Sequence, residues 1–465
     1  MSHHQPDPSK SVTLTIDGIS VTVPEGTRIL EAAKKANINI PTLCEHPELC
    51  KRALCRICVV EADGRGKLIA ACANDVWEGV SIVTTNQRLL NIRKTIVELI
   101  LANHPQDCLS CIRNKKCELQ SLALNFGVGA NAGASLFENS FFQNGAQERP
   151  PLIESETLVR NMDKCVKCGR CVEVCQEVQT IRAINTSHRS YEYEISTPYK
   201  QALEESFCTF CGKCAEVCPV GAIYEHDQTA EVRAALTAGR KVIAQISPSL
   251  AVAVNDELAL SADTITTGKL ISAIKLLGFD KVFDASIAAN AVNAEIAGEV
   301  QQRKKGGKLL PLISGCSAGA ANFVKNFYPD LADHLTAVPL PRRYFASVIK
   351  SRYAKEAGLD SSNITSVFFV PCLAHKYGAG SPQDFALTAG ELARMLKLAG
   401  IVIETLTETS FDNINVDLPK QESSVTKKTV HGYAQARKVM ETIREGKCGA
   451  EWVEILSCPD GENCK

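Results

Sequence analysis

Eight cysteines set in two runs constrain this chain more than any other feature of it. Cys165, Cys168, Cys171 and Cys175 read C-x2-C-x2-C-x3-C; Cys208, Cys211, Cys214 and Cys218 repeat the spacing and end in Pro219. The chain has 21 cysteines in 465 residues, and sixteen of them precede residue 219. In a small secreted domain such a count would mean a disulfide framework. Here residues 1–10 are polar, with no apolar signal segment, and the length allows roughly two to four domains with cores of their own. The expectation is therefore a cytoplasmic protein whose thiols stay reduced, and reduced thiols at tight, regular spacing are metal ligands. A net charge of −1 with 22% charged residues provides no field for holding nucleic acid or an anionic membrane surface. The longest apolar stretches, such as 242–254, are broken by Gln, Ser and Pro, so no membrane span is expected.

The repeated run resembles that of two-cluster ferredoxins, in which the fourth cysteine of each run ligates the other cluster. That rule implies one [4Fe–4S] cluster on Cys165, Cys168, Cys171 and Cys218, and another on Cys208, Cys211, Cys214 and Cys175. Gln176 stands where the first run would have a proline.

Two further sets precede these. Cys44, Cys55, Cys58 and Cys72 are spaced C-x10-C-x2-C-x13-C. Before them Val12, Leu14 and Ile16 alternate, Asp17-Gly18 makes a turn, and Ile19, Val21 and Val23 alternate again. Thr27 is a candidate cap for a helix carrying Ile29, Leu30 and Ala33 on one face. A hairpin, a helix and a long cysteine loop make a β-grasp domain. The spacing departs from plant-type ferredoxins and is similar to the [2Fe–2S] domain of the large iron–sulfur subunit of respiratory complex I and of [FeFe]-hydrogenases. Buried structural cysteines or a zinc site are the plainer alternatives. Cys50 lies inside the loop but outside the pattern, as a non-ligand.

The second set is His104, Cys108, Cys111 and Cys117, spaced H-x3-C-x2-C-x5-C, and a helix with Leu89, Leu90, Ile92, Ile96, Leu99 and Ile100 as its apolar stripe leads into it. Zinc is the natural rival for one His with three Cys. The position directly after a [2Fe–2S] domain favours a cluster, and the pairing resembles the His-ligated [4Fe–4S] of complex I and hydrogenases. A neutral imidazole in place of a thiolate makes such a cluster less negative and raises its potential.

From about residue 229 cysteines thin out and strands alternate with helices. Segments 241–246, 308–313 and 366–370 read as buried strands, and 269–277 and 391–398 as helices, which predicts a mostly parallel sheet covered by helices. Cys316 and Cys372 fall just past the carboxyl ends of strands, where open α/β sheets place ligands. The expected division is a β-grasp domain at 1–87, a His-ligated cluster domain and linker at 88–150, a two-cluster ferredoxin-like domain at 151–228 and an α/β domain at 229–465.

The order of these domains resembles multi-cluster [FeFe]-hydrogenases and the hydrogenase subunit of NADH-linked electron-bifurcating complexes. The matching stretches are QISPSLAVAV from Gln245, VFDASIAANAVNAE from Val282, SGCSAGA from Ser314, FVPCLAHK from Phe369 and VHGYAQARK from Val430. In that family four cysteines hold the cubane of the active-site H-cluster, the last of them bridging to its diiron part. Here the first ligand position is Ser317, beside Cys316, and the motif's tryptophan is Ala320. The second ligand is kept as Cys372, with His375 where the family has a cyanide-binding lysine. The third is kept as Cys458, and Glu462 replaces the bridging cysteine. A pocket-lining Gly-Gly-Val-Met-Glu-Ala segment is replaced by the polar stretch 413–429. A hard oxygen ligand suits a low-valent diiron centre poorly, so no H-cluster is expected. Cys316, Cys372, Cys458 and Cys464 are instead a candidate set for a further ordinary [4Fe–4S]; thiols left in an emptied pocket are the alternative. Glu299 and Thr336 fall near the family's proton-relay positions and are assigned no role.

The resemblance implies a non-catalytic electron-transfer subunit carrying one [2Fe–2S] and three [4Fe–4S] clusters. Its implied partners are an NADH- and FMN-binding flavoprotein subunit, a small [2Fe–2S] subunit, soluble ferredoxin, and a separate catalytic module such as a [NiFe]-hydrogenase or formate dehydrogenase. The alternatives are a catalytic [FeFe]-hydrogenase with a remodelled site and a redox sensor. For the sensor, no kinase, PAS-like or DNA-binding module is legible.

Overall fold

A computed structural model of the chain describes residues 7, 9–49, 52–63, 67–129, 152–247, 249–261, 263–307, 309–378, 384–414, 419 and 425–459. The alternation at the start forms the expected hairpin. Strand β1 (Ser11–Ile16) pairs antiparallel with β2 (Ile19–Pro24), and Val12, Leu14, Ile16, Val21 and Val23 turn inward. Strands β3 (Val59–Ala62), β4 (Lys67–Ala70) and β5 (Ser81–Val83) extend it to a sheet of order β2-β1-β5-β3-β4. Helix Ile29–Lys35 completes this β-grasp core with Ile29, Leu30 and Ala33. Its N-cap is Arg28 and not Thr27, whose hydroxyl donates to the Pro24 carbonyl at 2.7 Å.

Helix Gln87–Ala102 starts at Asn86, whose side chain accepts from the Leu89 N–H at 2.8 Å. Its buried stripe differs from the expected one: Leu89, Arg93, Val97 and Leu101 face inward, while Leu90 and Leu99 are exposed. The four inward residues follow strict i, i+4 spacing, and one of them is an arginine. Arg93 can lie there because its guanidinium donates to the Val59 carbonyl at 2.7 Å, next to Cys58.

The ferredoxin-like region is small: β6 (Ile153–Glu154), β7 (Leu158–Arg160) and β10 (Ile223–Glu225) form an antiparallel sheet, with β8 (Asn185–Ser187) and β9 (Glu194–Ser196) as a separate ribbon. The C-terminal region holds two parallel sheets where the sequence pattern suggested one. The first has order β12-β11-β14-β15, from β11 (Lys241–Ile246), β12 (Lys281–Asp284), β14 (Ile364–Val370) and β15 (Asp384–Thr388). The second has order β13-β17-β16, from β13 (Leu312–Gly315), β16 (Lys427–His431) and β17 (Trp452–Leu456). Helices Thr267–Leu276 and Ala389–Leu398 pack on the first, and Ala318–Phe327 and Gly432–Arg444 on the second. Between the helical cover and the ferredoxin-like region lies a fully buried ion pair, Lys376 with Glu391 at 2.8 Å, whose lysine also donates to the His226 carbonyl. Among the described residues, no helix is long and apolar enough to cross a membrane.

Candidate metal centres

The two cysteine runs open with the same turn. The second residue after the first cysteine, Lys167 or Phe210, is left-handed at φ 53° or 52°, and the glycine after the second cysteine, Gly169 or Gly212, at 81° or 78°. These turns curl the backbone so that the Lys167 N–H points at Cys165 Sγ and the Phe210 N–H at Cys208 Sγ, both at 3.4 Å. A left-handed non-glycine residue costs roughly 1–2 kcal/mol. Two such residues at equivalent places mark loops shaped for a bound anion.

The runs then exchange their last members. Cys165, Cys168, Cys171 and Cys218 line one space, with Met162, Val166 and Ile195 among its apolar walls. Cys175, Cys208, Cys211 and Cys214 line a second, with Leu158, Val174 and Ile181 among its walls. The structure thus brings together both crossed sets that the sequence predicts. Burial pushes Cys165 up to about 11 and Cys168 and Cys211 up to about 12, and it raises Cys171, Cys208 and Cys214 as well. Thiols buried in so apolar a setting hold their protons until a metal displaces them.

In the β-grasp domain Cys58 follows the loop into β3 and Cys72 follows β4, and their sulfurs lie 3.3 Å apart. The Cys55 N–H donates to Cys44 Sγ at 3.5 Å. The hydrogen bond shared by the thiols of each pair holds Cys44 down at about 6 and Cys58 at about 7, while Cys55 and Cys72 are raised in turn.

His104 stands just past the end of helix Gln87–Ala102, with its Nδ1 buried and unpartnered. Burial holds its pKa below the usual histidine value, so the ring is neutral with a lone pair free to bind metal. Cys108, Cys111 and Cys117 follow on the next loop, and Cys117 caps helix Glu118–Asn125. This loop packs on the ferredoxin-like region so closely that a methyl group on Gly221 would lie 2.9 Å from Cys111 Sγ. Among the described residues no three His, Cys, Asp or Glu side chains are placed to hold a single metal ion; the thiols of the two ferredoxin-like sets surround spaces instead.

The C-terminal pocket is built differently. Cys316 and Ser317 follow β13, and Ser457 and Cys458 follow β17. Ser457 Oγ lies 3.0 Å from both Ser317 Oγ and the Tyr433 hydroxyl, and its N–H donates to Cys316 Sγ at 3.4 Å. Three buried hydroxyls thus occupy the first ligand position and its surroundings. Tyr433 is wholly buried, and burial raises its pKa. Cys372 caps the short turn Leu373–His375, and His375 Nε2 is buried without a hydrogen-bond partner. Glu462 and Cys464 lie outside the described residues, as does Cys50. Glu299 accepts from Thr336 at 2.7 Å and pairs with Arg303 at 2.9 Å, a local tie.

Sequence reasoning missed Ser457, Tyr433 and Thr209. Tyr433 sits in the VHGYAQARK stretch, which was the available signal; Ser457, a lone serine before Cys458, carried none. It also missed the seam. Gly212 abuts Leu373, Gly319 abuts the Thr209 carbonyl with no room for a side chain, and Gln179 donates to the Ser457 carbonyl at 2.9 Å. The loop of Cys208 and Cys211 therefore packs directly against the walls of the C-terminal pocket.

Four family models match successive stretches of the chain. Residues 9–87 match a 2Fe-2S iron-sulfur cluster binding domain, and 93–131 match the iron–sulfur binding region of NADH-ubiquinone oxidoreductase-G. Residues 155–224 match the ferredoxin-like domain of NADH-quinone oxidoreductase subunit 3, and 240–425 the C-terminal domain of the iron-only hydrogenase large subunit. The NADP-reducing hydrogenase subunit HndD of Solidesulfovibrio fructosivorans is 35% identical over 424 residues, covering 86% of this chain and 71% of that protein. Iron hydrogenase 1 of Clostridium pasteurianum is 30% identical over 413 residues, covering 86% and 70%. The NADPH-Fe(3+) oxidoreductase subunit alpha of Geobacter sulfurreducens is 34% identical over 212 residues, which is 46% of this chain and 24% of that one. The chain belongs to the iron-only hydrogenase family, as an iron–sulfur electron-transfer protein with both [2Fe–2S]- and [4Fe–4S]-binding domains.

Proposed function

We propose that this chain is the wiring subunit of a multisubunit NAD(P)-linked oxidoreductase and does no hydrogen chemistry of its own. One [2Fe–2S] cluster is assigned to Cys44, Cys55, Cys58 and Cys72, and one [4Fe–4S] to His104, Cys108, Cys111 and Cys117. Two more [4Fe–4S] clusters are assigned to the crossed sets Cys165, Cys168, Cys171, Cys218 and Cys175, Cys208, Cys211, Cys214. Such clusters, when bound, take up and release single electrons. The chain's own residues supply thiolates, exclude water with apolar walls and hold the loops in contact. The observation that carries the reading is the pair of four-thiol spaces, each drawing its fourth cysteine from the other run.

The C-terminal domain is a docking and relay platform beyond the last of these sets. Two things support this: the hydroxyl network at Ser317, and Glu462 at the bridging position in the sequence. Cys316, Cys372, Cys458 and Cys464 are the candidate ligands of a further [4Fe–4S]. The proposed partners are a flavin- and NADH-binding subunit, a small [2Fe–2S] subunit, ferredoxin and a separate hydrogenase or formate dehydrogenase module. Identifying the subunits that copurify tests this directly.

Iron analysis of anaerobically prepared protein should find about 14 irons per chain, or about 18 if the C-terminal set also binds. Stoichiometric zinc would overturn the His104 assignment. Hydrogen evolution after supplying a synthetic diiron cofactor, with infrared bands of bound CO and cyanide, would establish the rival reading, a catalytic hydrogenase.

A further inference from the structure

Arg170 lies between Cys168 and Cys171, and only 5% of it is exposed. Its guanidinium spans three other loops. Nη1 and Nη2 donate to the two carboxylate oxygens of Glu118 at 2.6 and 2.8 Å. Nη2 also donates to the Glu45 carbonyl at 2.7 Å, and Nη1 reaches the Val217 carbonyl at 3.5 Å. Each partner is next to a cysteine of a different stretch: Glu45 follows Cys44, Glu118 follows Cys117, and Val217 precedes Cys218. Arg170 itself precedes Cys171.

A buried arginine is costly unless it is fully paired. Its one carboxylate partner, Glu118, has a side chain that is 45% exposed, so solvent weakens that compensation. The fork therefore leaves positive charge directed at the sulfurs around it, those of Cys168 and Cys44. Lys164, the neighbouring buried cation, joins only two loops, through Asp107 at 2.8 Å beside Cys108. Arg170 alone, among the described residues, hydrogen-bonds residues adjoining Cys44, Cys117 and Cys218.

We propose that Arg170 is a positioning residue for electron transfer, which holds the loops of three cluster sets in one register and places a fixed positive charge among them. The proposal rests on the ligand assignment above. Two effects follow. Electron exchange falls steeply with separation, and a planar fork fixes its partners more firmly than separate side chains would. A cation held in a low-dielectric setting also favours the reduced, more negative state of whatever it faces.

The test uses the full chain with all its clusters, iron analysis, and redox titration followed by electron paramagnetic resonance. R170M should keep its iron but shift the [2Fe–2S] and Cys165-set equilibria toward the oxidised state by about tenfold, about 59 mV for a one-electron couple. The magnetic interaction between neighbouring clusters should weaken as well. R170K should restore most of the potential, because the charge returns, but not the magnetic interaction, because the fork does not. A fully loaded R170M with unchanged potentials and spectra overturns the proposal. Should R170M lose iron, E118Q decides, since it keeps the arginine and cuts one tie. It should hold full iron while the interaction of the His104-set cluster with its neighbours falls; an E118Q identical to the parent overturns the proposal. A failed ligand assignment would look different, because the parent chain itself would then fall short of about 14 irons.

Discussion

In the ferredoxin-like region each cysteine turn closes with its thiols around a space, whereas in the C-terminal region the turns after β13 and β17 close hydroxyl against hydroxyl. Both regions place their chemistry-bearing residues on tight turns at the ends of regular elements, and both are packed by apolar cores. What differs is the identity of a few side chains. Around Cys165 the walls are apolar and the side chains that could ligate carry sulfur; around Cys208 Gln179, Thr209 and Lys213 join the apolar walls, and each space presents four thiols together, which suits a cluster. Around Ser457 three hydroxyls hydrogen-bond one another, so these turns present oxygen where the ferredoxin-like turns present sulfur. A fold can therefore keep its architecture while its site changes character, because the packing that holds the turns does not depend on the atoms the turns present.

Cys171→Ser should have the largest effect. It removes a buried sulfur from the first set, so about four irons should be lost. Electrons supplied at the N-terminal clusters should then no longer reach the Cys208 set; iron analysis and rapid-quench spectroscopy read both effects. Full iron content in this variant would break the contrast between the two regions. His104→Cys should keep its irons while making that cluster harder to reduce, since a fourth thiolate adds negative charge. A shift of about tenfold in equilibrium, some 59 mV, is the scale to look for in a redox titration, and an unchanged potential would remove His104 from the ligands.

Gly212→Ala probes the seam between the two regions. The new methyl group would press on Leu373 beside Cys372, at a backbone φ of 78° that favours glycine. A loss of about 1–3 kcal/mol is expected in chemical unfolding. If Gly212→Ala unfolds like the parent, the two regions are less tightly joined than the packing indicates. Ser317→Ala should be the mildest. It deletes one hydroxyl from Ser457, which keeps Tyr433 as partner, and should cost about 1 kcal/mol with iron content unaltered. Any loss of iron in Ser317→Ala would show that the C-terminal pocket binds metal through that oxygen.

The sequence by itself marked out the candidate ligand sets and determined the β-grasp hairpin. Cysteine spacing is a local property, and a C-x2-C-x2-C loop is too short to do much but turn its thiols to one side. The period-two alternation of Val12 to Val23 likewise settles which face of β1 and β2 is buried, because one residue of slip would expose all of it. The tertiary structure decided whatever depends on contacts distant along the chain. It chose Arg93 over Leu90 for the buried stripe of helix Gln87–Ala102, because Val59 offers a carbonyl there. It divided the C-terminal strands into two sheets, since the order β13-β17-β16 depends on a strand more than 130 residues away. It joined Ser317, Tyr433 and Ser457 into one network, although single serines and tyrosines carry no pattern. It also turned Arg170 into the tie between three loops, because a guanidinium finds its acceptors only after those loops have packed.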